Sequence, residues 1–324
     1  MNLQPHTSRP ANVLVEDALI DGAQTGLKLF LRNKRPADRE PIGSLLLVHG
    51  ATFPSVSLFD VDVGGLSFMD ALAQTGIDAW ALDVRGYGGS TRPAPMDQDP
   101  GNSPPLSRAI DAVDDIASAL SYIRSLRSPN RIGLLGMSWG GSIAGIYASR
   151  NHDLDALILV APLWLSSIPL RFDGGAPITS HRMVDVGAYR AAWVGSAPEA
   201  QRDGLLPESW FERWAEVSEA TDLHAPVGYL RAPSGAVADV REHWTAGRPL
   251  YDPAAVTTPT LILRGSWDVD VRRDMALDLV DRLTGARDRA YIEVAGGTHM
   301  MLMEPARKTA IGQIVSYLDT MFSD

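Results

Sequence analysis

The chain has 324 residues, of which 45% are hydrophobic and 21% charged, as is ordinary for a globular protein with a sizeable core. Its formal net charge of −10 comes from 29 basic against 39 acidic residues, without a dense basic run, and this argues against a nucleic-acid partner. There is no cysteine, which excludes disulfides, thiolate metal sites and a cysteine nucleophile.

The sequence pattern predicts neither a signal peptide nor a membrane span. Residues 1–12 lack the apolar stretch that forms the core of a signal peptide. No uninterrupted apolar run approaches the about 20 residues that cross a bilayer. We therefore expect a soluble, cytoplasmic protein without a membrane partner.

Apolar strands alternate with amphipathic helices along most of the chain. The more polar residues 12–20 and 27–32 are predicted to add an antiparallel edge, whereas residues 44–48 are apolar throughout, like a strand buried on both faces of a parallel sheet. Segments of the latter kind follow at residues 77–82, 131–135, 157–160, 260–263 and 290–294. Helices are predicted over residues 66–74, 109–126, 142–149 and 306–321. This alternation predicts an α/β fold with a mostly parallel central sheet flanked by helices.

The alternation breaks between about residue 162 and residue 252. This stretch is rich in tryptophan, proline and glycine, has a helical pattern over residues 208–220, and carries no strong buried-strand signal. We interpret residues 162–251 as an inserted helical cap, and residues 1–161 and 252–324 as one core domain. Most of the cap tryptophans are expected to form a small core of their own.

Ser138 is the predicted nucleophile. It lies in Gly136-Met137-Ser138-Trp139-Gly140, between an apolar strand and a helix, which is the strand–turn–helix context of the G-x-S-x-G motif. The turn holds such a serine in a strained backbone conformation, and the glycines on either side let strand and helix approach closely.

His299 and Asp268 are the predicted partners of this serine. A serine hydroxyl needs a base, which is usually a histidine oriented by a carboxylate. His299 follows the last apolar segment and Asp268 the one before it, and the loops after parallel strands gather at one edge of a sheet. The order Ser, Asp, His is the one expected for this arrangement. Asp270 is the alternative carboxylate, two residues away.

The oxyanion that develops during attack on a carbonyl also needs hydrogen-bond donors. The backbone N–H of Trp139, next to the nucleophile, is the first candidate. The second is expected from the loop after residues 44–48, where Ala51 is preferred and Thr52 is the alternative. His49 is expected to orient this loop rather than to transfer protons.

These segments together resemble the α/β-hydrolase family over nearly the whole chain. The matching stretches, in the family's order, are Val48-His49-Gly50, Asp83-Val84-Arg85-Gly86-Tyr87-Gly88-Gly89-Ser90, Gly136-Met137-Ser138-Trp139-Gly140-Gly141, Gly265-Ser266-Trp267-Asp268 and Gly297-Thr298-His299. The resemblance implies a serine hydrolase with a Ser-His-Asp triad and an inserted lid, without cofactor or metal. It also implies that Asp83 and Arg85 belong to a structural turn. Because epoxide hydrolases and haloalkane dehalogenases of this fold carry an aspartate where Ser138 stands, those activities are disfavoured.

The leading hypothesis is hydrolysis of a small-molecule carboxylic ester through an acyl-enzyme. Trp164, Arg171 and Arg182 are candidate pocket residues, and the arginines would bind a substrate carboxylate. Core packing and solvated surface charge are the alternative roles of these side chains. A monoester of a dicarboxylic acid, such as a monoalkyl phthalate, fits this mixture of tryptophan and arginine.

Other functions stay open at this point. The same fold and triad serve the hydrolysis of lactones, amides and carbon–carbon bonds, because specificity depends on the pocket. Outside catalysis, a ligand receptor on a hydrolase scaffold is the alternative. Retention of every triad member argues against a receptor, since a protein that only binds gains little from keeping all three.

Overall fold

The structure, a computed structural model, describes residues 12–323. Its strands are, in chain order, β1 (Val13–Asp21), β2 (Lys28–Pro36), β3 (Gly43–Val48), β4 (Ile77–Asp83), β5 (Ile132–Met137), β6 (Ala156–Val160), β7 (His181–Asp185), β8 (Tyr229–Pro233), β9 (Thr260–Gly265) and β10 (Arg289–Val294). One eight-stranded sheet has the order β1-β2-β4-β3-β5-β6-β9-β10, and β7 pairs with β8 in a separate two-stranded sheet.

Parallel pairing dominates the large sheet. From β4 to β10 all neighbouring strands are parallel, whereas β2 runs antiparallel to both β1 and β4. Every residue of β3, β4, β5, β6 and β9 is buried, because these strands are covered on both faces. The predicted fold class, with its antiparallel edge, is confirmed.

The last strand differs from its prediction. Among residues 12–323, β10 pairs only with β9 and forms the outer edge of the sheet, so most of its residues are exposed or half-buried. The expectation that residues 290–294 form a fully buried strand is therefore wrong. An edge strand has a neighbour on one side only, and the sequence does not say which strand ends the sheet.

The helices are α1 (Ser55–Phe59), α2 (Phe68–Thr75), α3 (Ala109–Arg127), α4 (Trp139–Arg150), α5 (Tyr189–Val194), α6 (Glu208–Glu219), α7 (Gly235–Asp239), α8 (Arg273–Arg282) and α9 (Arg307–Ser323). In the large sheet's layers, α3 packs beside α4 and α2 beside α9. The helix after Ser138 begins at Trp139, three residues earlier than predicted, because the glycines that weaken the helical pattern lie in its first turn.

We call residues 162–251, which lie between β6 and β9 in the chain, the inserted segment. It contains α5, α6 and α7, as the helical expectation requires, and a π-helical turn over Val240–Trp244. It also contains β7 and β8, which the sequence did not predict. Neither strand carries a continuous apolar run, since their sequences are HRMVD and YLRAP.

The inserted segment is attached to the rest of the chain by an aromatic cluster. The ring of Phe53, in the loop after β3, lies 4.8 Å from that of Tyr189 and 4.7 Å from that of Trp214. Trp193 packs edge-on against Trp214 and donates a hydrogen bond from Nε1 to Glu304 at 2.6 Å. These tryptophans therefore pack on each other within the segment and also join it to the body of the protein.

Candidate active site

Ser138 occupies a strained turn between β5 and α4. Its φ of +57° is uncommon for a residue with a side chain, and such strain persists only where the surroundings enforce it. The Ser138 N–H donates to the carbonyl of Val160 at 2.9 Å, which holds the residue at the end of the sheet. Ser138 stands directly before the first turn of α4, whose free N–H groups favour negative charge there.

The glycines beside Ser138 are required by close backbone contacts. A Cβ on Gly136 would lie 2.2 Å from the carbonyl oxygen of Gly140. A Cβ on Gly140 would lie 2.4 Å from the carbonyl oxygens of both Val48 and His49. The neighbours are backbone atoms of a buried strand and a helix, so they have no room to move away.

Replacing Gly140 by alanine is therefore expected to lower the free energy of unfolding by about 3 kcal/mol or more, because the added methyl overpacks the turn. Urea denaturation measures this change. Gly312→Ala is the matched control: Gly312 lies in α9, exposed, with nothing within 4 Å of the added Cβ. That substitution is expected to stabilise the protein by about 0.5–1 kcal/mol. Equal midpoints for Gly140→Ala and the wild type would contradict the packing argument.

Ser138, His299 and Asp268 form one chain of hydrogen bonds. His299 Nε2 lies 3.0 Å from Ser138 Oγ, and His299 Nδ1 lies 2.9 Å from Asp268 Oδ2. With its Nδ1 proton donated to the carboxylate, the imidazole presents Nε2 as an acceptor for the serine hydroxyl. The structure thus brings together the three residues that the sequence singled out from distant parts of the chain.

Asp268 is buried and fixed from several sides. Its Oδ1 accepts the backbone N–H groups of Asp270 at 2.9 Å and of Val271 at 2.8 Å, which leaves Oδ2 for His299. Its carbonyl accepts a hydrogen bond from Arg264 Nη2 at 2.7 Å. These contacts hold the carboxylate in one orientation toward the imidazole.

Asp270, the alternative carboxylate, has a different partner. Its two oxygens accept from Arg171 Nε at 3.0 Å and Nη2 at 3.2 Å, and Arg171 also donates to Ser196 at 3.1 Å. Asp270 still lies close enough to act on the imidazole. Burial lowers the pKa of His299, but the charges of Asp268 and Asp270 outweigh burial and raise it to about 9.

Asp268, Asp270 and His299 also form a group whose ligand atoms lie within 4.8 Å of one another, as in a metal site. Each of these residues is engaged by protein partners: two backbone N–H groups on Asp268, Arg171 on Asp270, and Ser138 on His299. These protein contacts suit proton transfer between Ser138 and His299. A cation at this place would have to compete with the Arg171 guanidinium.

The loop after β3 lies against Ser138. A Cβ on Gly50 would be 3.2 Å from that of Ser138. The carbonyl of Gly50 accepts from His49 Nδ1 at 2.8 Å, and His49 Nε2 accepts from the N–H of Val84 at 3.0 Å. Burial lowers the pKa of His49, although Asp83 and the bond to Gly50 oppose this, so the ring is neutral and orients the loop.

The predicted oxyanion donors belong to two backbone segments, the start of α4 and the loop after β3. Trp139 is the first residue of α4, so its N–H has no acceptor within the helix. Ala51 and Thr52 follow Gly50, and the Ala51 carbonyl accepts from the hydroxyl of Tyr87 at 2.8 Å. Trp139 follows Ser138 in the chain, and the loop after β3 reaches Ser138 at Gly50.

Glu304 is a site residue that the sequence did not suggest. It is fully buried and accepts hydrogen bonds from the N–H of Thr298 at 3.0 Å, from the Thr298 hydroxyl, and from Trp193 Nε1. Burial raises the pKa of this carboxyl, although the hydrogen bonds oppose the rise. Glu304 thus fixes the loop that carries His299 and joins it to the inserted segment. No motif marks it, because its partners come from separate elements.

The three predicted pocket residues differ in their surroundings. Arg171 pairs with Asp270, and Arg182 contacts the loop after β3. Trp164 is fully buried, packs against Trp244 and Tyr251, and donates from Nε1 to Asp278 at 2.7 Å. It has no exposed surface that lines a pocket, so its predicted role is corrected to packing. Tertiary contacts with α8 decide this, and they are not visible in the sequence.

Asp83 and Arg85 take the structural roles that the resemblance implied. Asp83 accepts from Ser55 N at 2.8 Å and from Gly89 N at 2.9 Å, which closes the turn after β4. Arg85 is paired with Asp115 of α3 at 2.6 Å.

Among residues 12–323, no helix is long and apolar enough to cross a membrane.

Solved structures share this fold at low sequence identity. A bromoperoxidase from Bacillus anthracis is 16% identical, with a TM-score of 0.63 over 95% of this chain and 100% of that chain. A thioesterase domain from the curacin biosynthetic pathway is 17% identical, with a TM-score of 0.61 over 94% and 99%. An esterase from Exiguobacterium antarcticum is 19% identical, with a TM-score of 0.58 over 92% and 98%. No curated protein matches the chain in sequence.

A sequence family covers most of the chain. The family described as "serine aminopeptidase, S33" matches residues 40–306. This range includes β3, the turn at Ser138, the inserted segment and the loops that carry Asp268 and His299. The chain therefore belongs to the S33 family of α/β hydrolases.

Proposed function

We propose that the protein hydrolyses carboxylic esters by transferring the acyl group to Ser138. The observation that carries the proposal is the hydrogen-bonded chain from Ser138 through His299 to the buried Asp268. The family and the esterases among the structural neighbours support hydrolysis of this general kind. Ser138, His299 and Asp268 each have one chemical role in the reaction.

In acylation, Ser138 Oγ attacks the ester carbonyl while its proton passes to His299 Nε2. The negative charge then moves to the carbonyl oxygen, where the N–H of Trp139 and that of Ala51 or Thr52 would stabilise it. The tetrahedral intermediate collapses, the bond to the alcohol oxygen breaks, and His299 returns the proton to the leaving alcohol. Asp268 stabilises the imidazolium that forms between these steps.

In deacylation, a water molecule takes the place of the alcohol. His299 accepts a proton from this water, the hydroxide oxygen attacks the acyl carbonyl, and the proton then goes to Ser138 Oγ as the acid leaves. The inserted segment would act as the cap over this reaction, since its α5 and β7 lie beside the catalytic loops. A closed cap limits water near the acyl-enzyme.

We expect kcat/KM to rise as the pH becomes more alkaline. His299 must be neutral to accept the serine proton, and its pKa is raised to about 9. Below that pKa the imidazole is protonated, so kcat/KM should fall about tenfold per pH unit. Initial rates with a neutral ester between pH 6 and 10 test this. A flat profile from pH 6 upward would contradict the assignment of His299 as a base held protonated by two carboxylates.

We propose further that the ester carries a carboxylate on its acyl part, as in a monoalkyl phthalate. Arg171 is already paired with Asp270, whereas Arg182 makes no ion pair within residues 12–323. The uncompensated charge of Arg182, close to the loop after β3, favours an anionic substrate. A carboxylate-bearing monoester would therefore meet Arg182 rather than Arg171.

A substrate panel tests both levels of this proposal. It compares a p-nitrophenyl ester with a neutral acyl chain, one whose acyl chain ends in a carboxylate, a lactone and a p-nitroanilide. We expect the esters to have the highest kcat/KM, and the carboxylate-bearing ester to have the lower KM of the two. Better turnover of the neutral ester would reject the half-ester. Better turnover of the anilide would favour the amide bond suggested by the family's name.

A further inference from the structure

Arg182 extends from β7, in the inserted segment, to the loop that follows β3. Its Nη2 donates to the carbonyl of Ala51 at 2.8 Å and to the hydroxyl of Thr52 at 2.8 Å. Its Nη1 donates to the carbonyl of Pro233, at the end of β8, at 2.8 Å. One guanidinium therefore ties the two strands of the inserted segment to the candidate oxyanion loop.

These bonds fix the peptide groups on which an oxyanion hole depends. The carbonyl and the N–H of a trans peptide point in opposite directions, so a bond to the Ala51 carbonyl also orients the Thr52 N–H. His49 holds the preceding peptide in the same way, because its Nδ1 donates to the carbonyl of Gly50 and so orients the Ala51 N–H. Tyr87 adds a second donor to the Ala51 carbonyl.

The charge of Arg182 is unusual for its surroundings. Burial lowers the pKa of this guanidinium below its ordinary value, and only Tyr87 and Tyr189 oppose that effect. No carboxylate within residues 12–323 forms an ion pair with it. A buried cation without an acidic partner costs stability. A cation that donates to a peptide carbonyl also polarises that peptide, which strengthens its N–H as a donor.

We infer that Arg182 is a positioning residue of the oxyanion hole. Through it the inserted segment holds the Ala51–Thr52 peptide group, which orients the Thr52 N–H and, with His49 holding the preceding peptide, fixes the backbone of Ala51 on both sides. The inference rests on the proposed function, since an oxyanion hole matters only if Ser138 attacks a carbonyl. It adds a consequence: the inserted segment completes the catalytic site as well as covering it.

Arg182→Met tests this inference with a neutral p-nitrophenyl ester, which has no carboxylate for Arg182 to bind. We expect kcat to fall about 10- to 100-fold, somewhat less than the loss of an oxyanion donor itself. KM is expected to change by less than about threefold, because the contact acts in the transition state. Affinity for a trifluoromethyl ketone, whose adduct carries the oxyanion, should weaken by the same factor as kcat.

Two further variants keep the test independent of folding. Arg182→Lys retains the cation, with its donors on a single nitrogen, and it is expected to recover part of the lost kcat. Arg248→Met is the matched control, an exposed arginine of the same segment that donates to the carbonyl of Glu242, and it should behave as wild type. Thermal unfolding of each variant separates a loss of kcat from a loss of folded protein.

The outcomes distinguish the inference from the function on which it rests. If wild-type protein turns over the ester and Arg182→Met keeps its kcat, the inference fails while the proposed function stands. It also fails if Arg182→Met raises only the KM of the carboxylate-bearing ester, or loses kcat without weaker ketone binding. If wild type turns over no ester, lactone or amide, the proposed function itself fails.

Discussion

Replacing Ser138 by alanine is expected to lower kcat for ester hydrolysis by about 10⁴- to 10⁶-fold, because the variant has no oxygen with which to form the acyl-enzyme. The fold should be kept, since alanine fits where the serine Cβ already lies. Residual turnover would come from the oxyanion donors and binding alone. Steady-state rates with a p-nitrophenyl ester, with a circular-dichroism spectrum of each variant, measure this effect.

The control for this substitution is Ser149→Ala, in the same helix α4. Ser149 Oγ donates to the carbonyl of Ile146 and has no contact with the triad, so wild-type activity is expected. Combining Ser138→Ala with His299→Ala should cost little more than either change alone, because the two residues act as one unit. A double variant whose losses multiply would show that His299 works independently of Ser138.

The second large effect is expected at Asp268. Asn at this position would present an amide donor to His299 Nδ1, and the imidazole would then carry its proton on Nε2 and be unable to accept one from Ser138. We expect kcat to fall about 10⁴-fold with the geometry intact. Asp270→Asn, the isosteric comparison two residues away, is expected to cost less than about tenfold, because Asp270 contacts Arg171 rather than Nδ1.

The pH profiles of the same two variants add an independent signature. Asp270 raises the pKa of His299, and Arg171 lowers it. Asp270→Asn removes a negative charge and leaves the guanidinium in place, so the acidic limb of kcat/KM should move to lower pH. Should Asp270→Asn instead abolish turnover across the whole range, while Asp268→Asn is mild, the two carboxylates would have to exchange roles.

Much of the central fold could be predicted because its signals are local. Five buried strands are visible in the sequence as apolar runs, as residues 44–48 are for β3. The glycines around Ser138 indicate a turn in which backbone segments approach closely. Ser138, Asp268 and His299 were predictable for the same reason. Ser138 follows the buried strand β5, Asp268 follows the buried strand β9 and His299 follows the edge strand β10, and parallel strands bring their carboxyl ends to one edge.

The inserted segment was harder to predict because its contacts are long-range. β7 and β8 have mixed polar sequences, and Arg182 finds its acceptor at Ala51, 131 positions away. Glu304 is buried and accepts hydrogen bonds from Thr298 and Trp193, which come from separate elements. Trp164 was expected in a pocket, but a buried bond to Asp278 decides its place. Such long-range partners depend on the tertiary structure, and the hydrophobic periodicity of the sequence does not indicate them.

The most direct test of the account is covalent labelling with a fluorophosphonate, followed by mass spectrometry of the intact protein and of its peptides. The probe phosphonylates a serine only where a base activates its hydroxyl and an oxyanion hole receives the phosphoryl oxygen. We expect a single adduct on the peptide that contains Ser138 and no adduct with Ser138→Ala, and excess ester present during labelling should slow formation of the adduct. An unlabelled wild-type protein would favour a receptor that binds without turnover, and a label on another serine would contradict the assigned site.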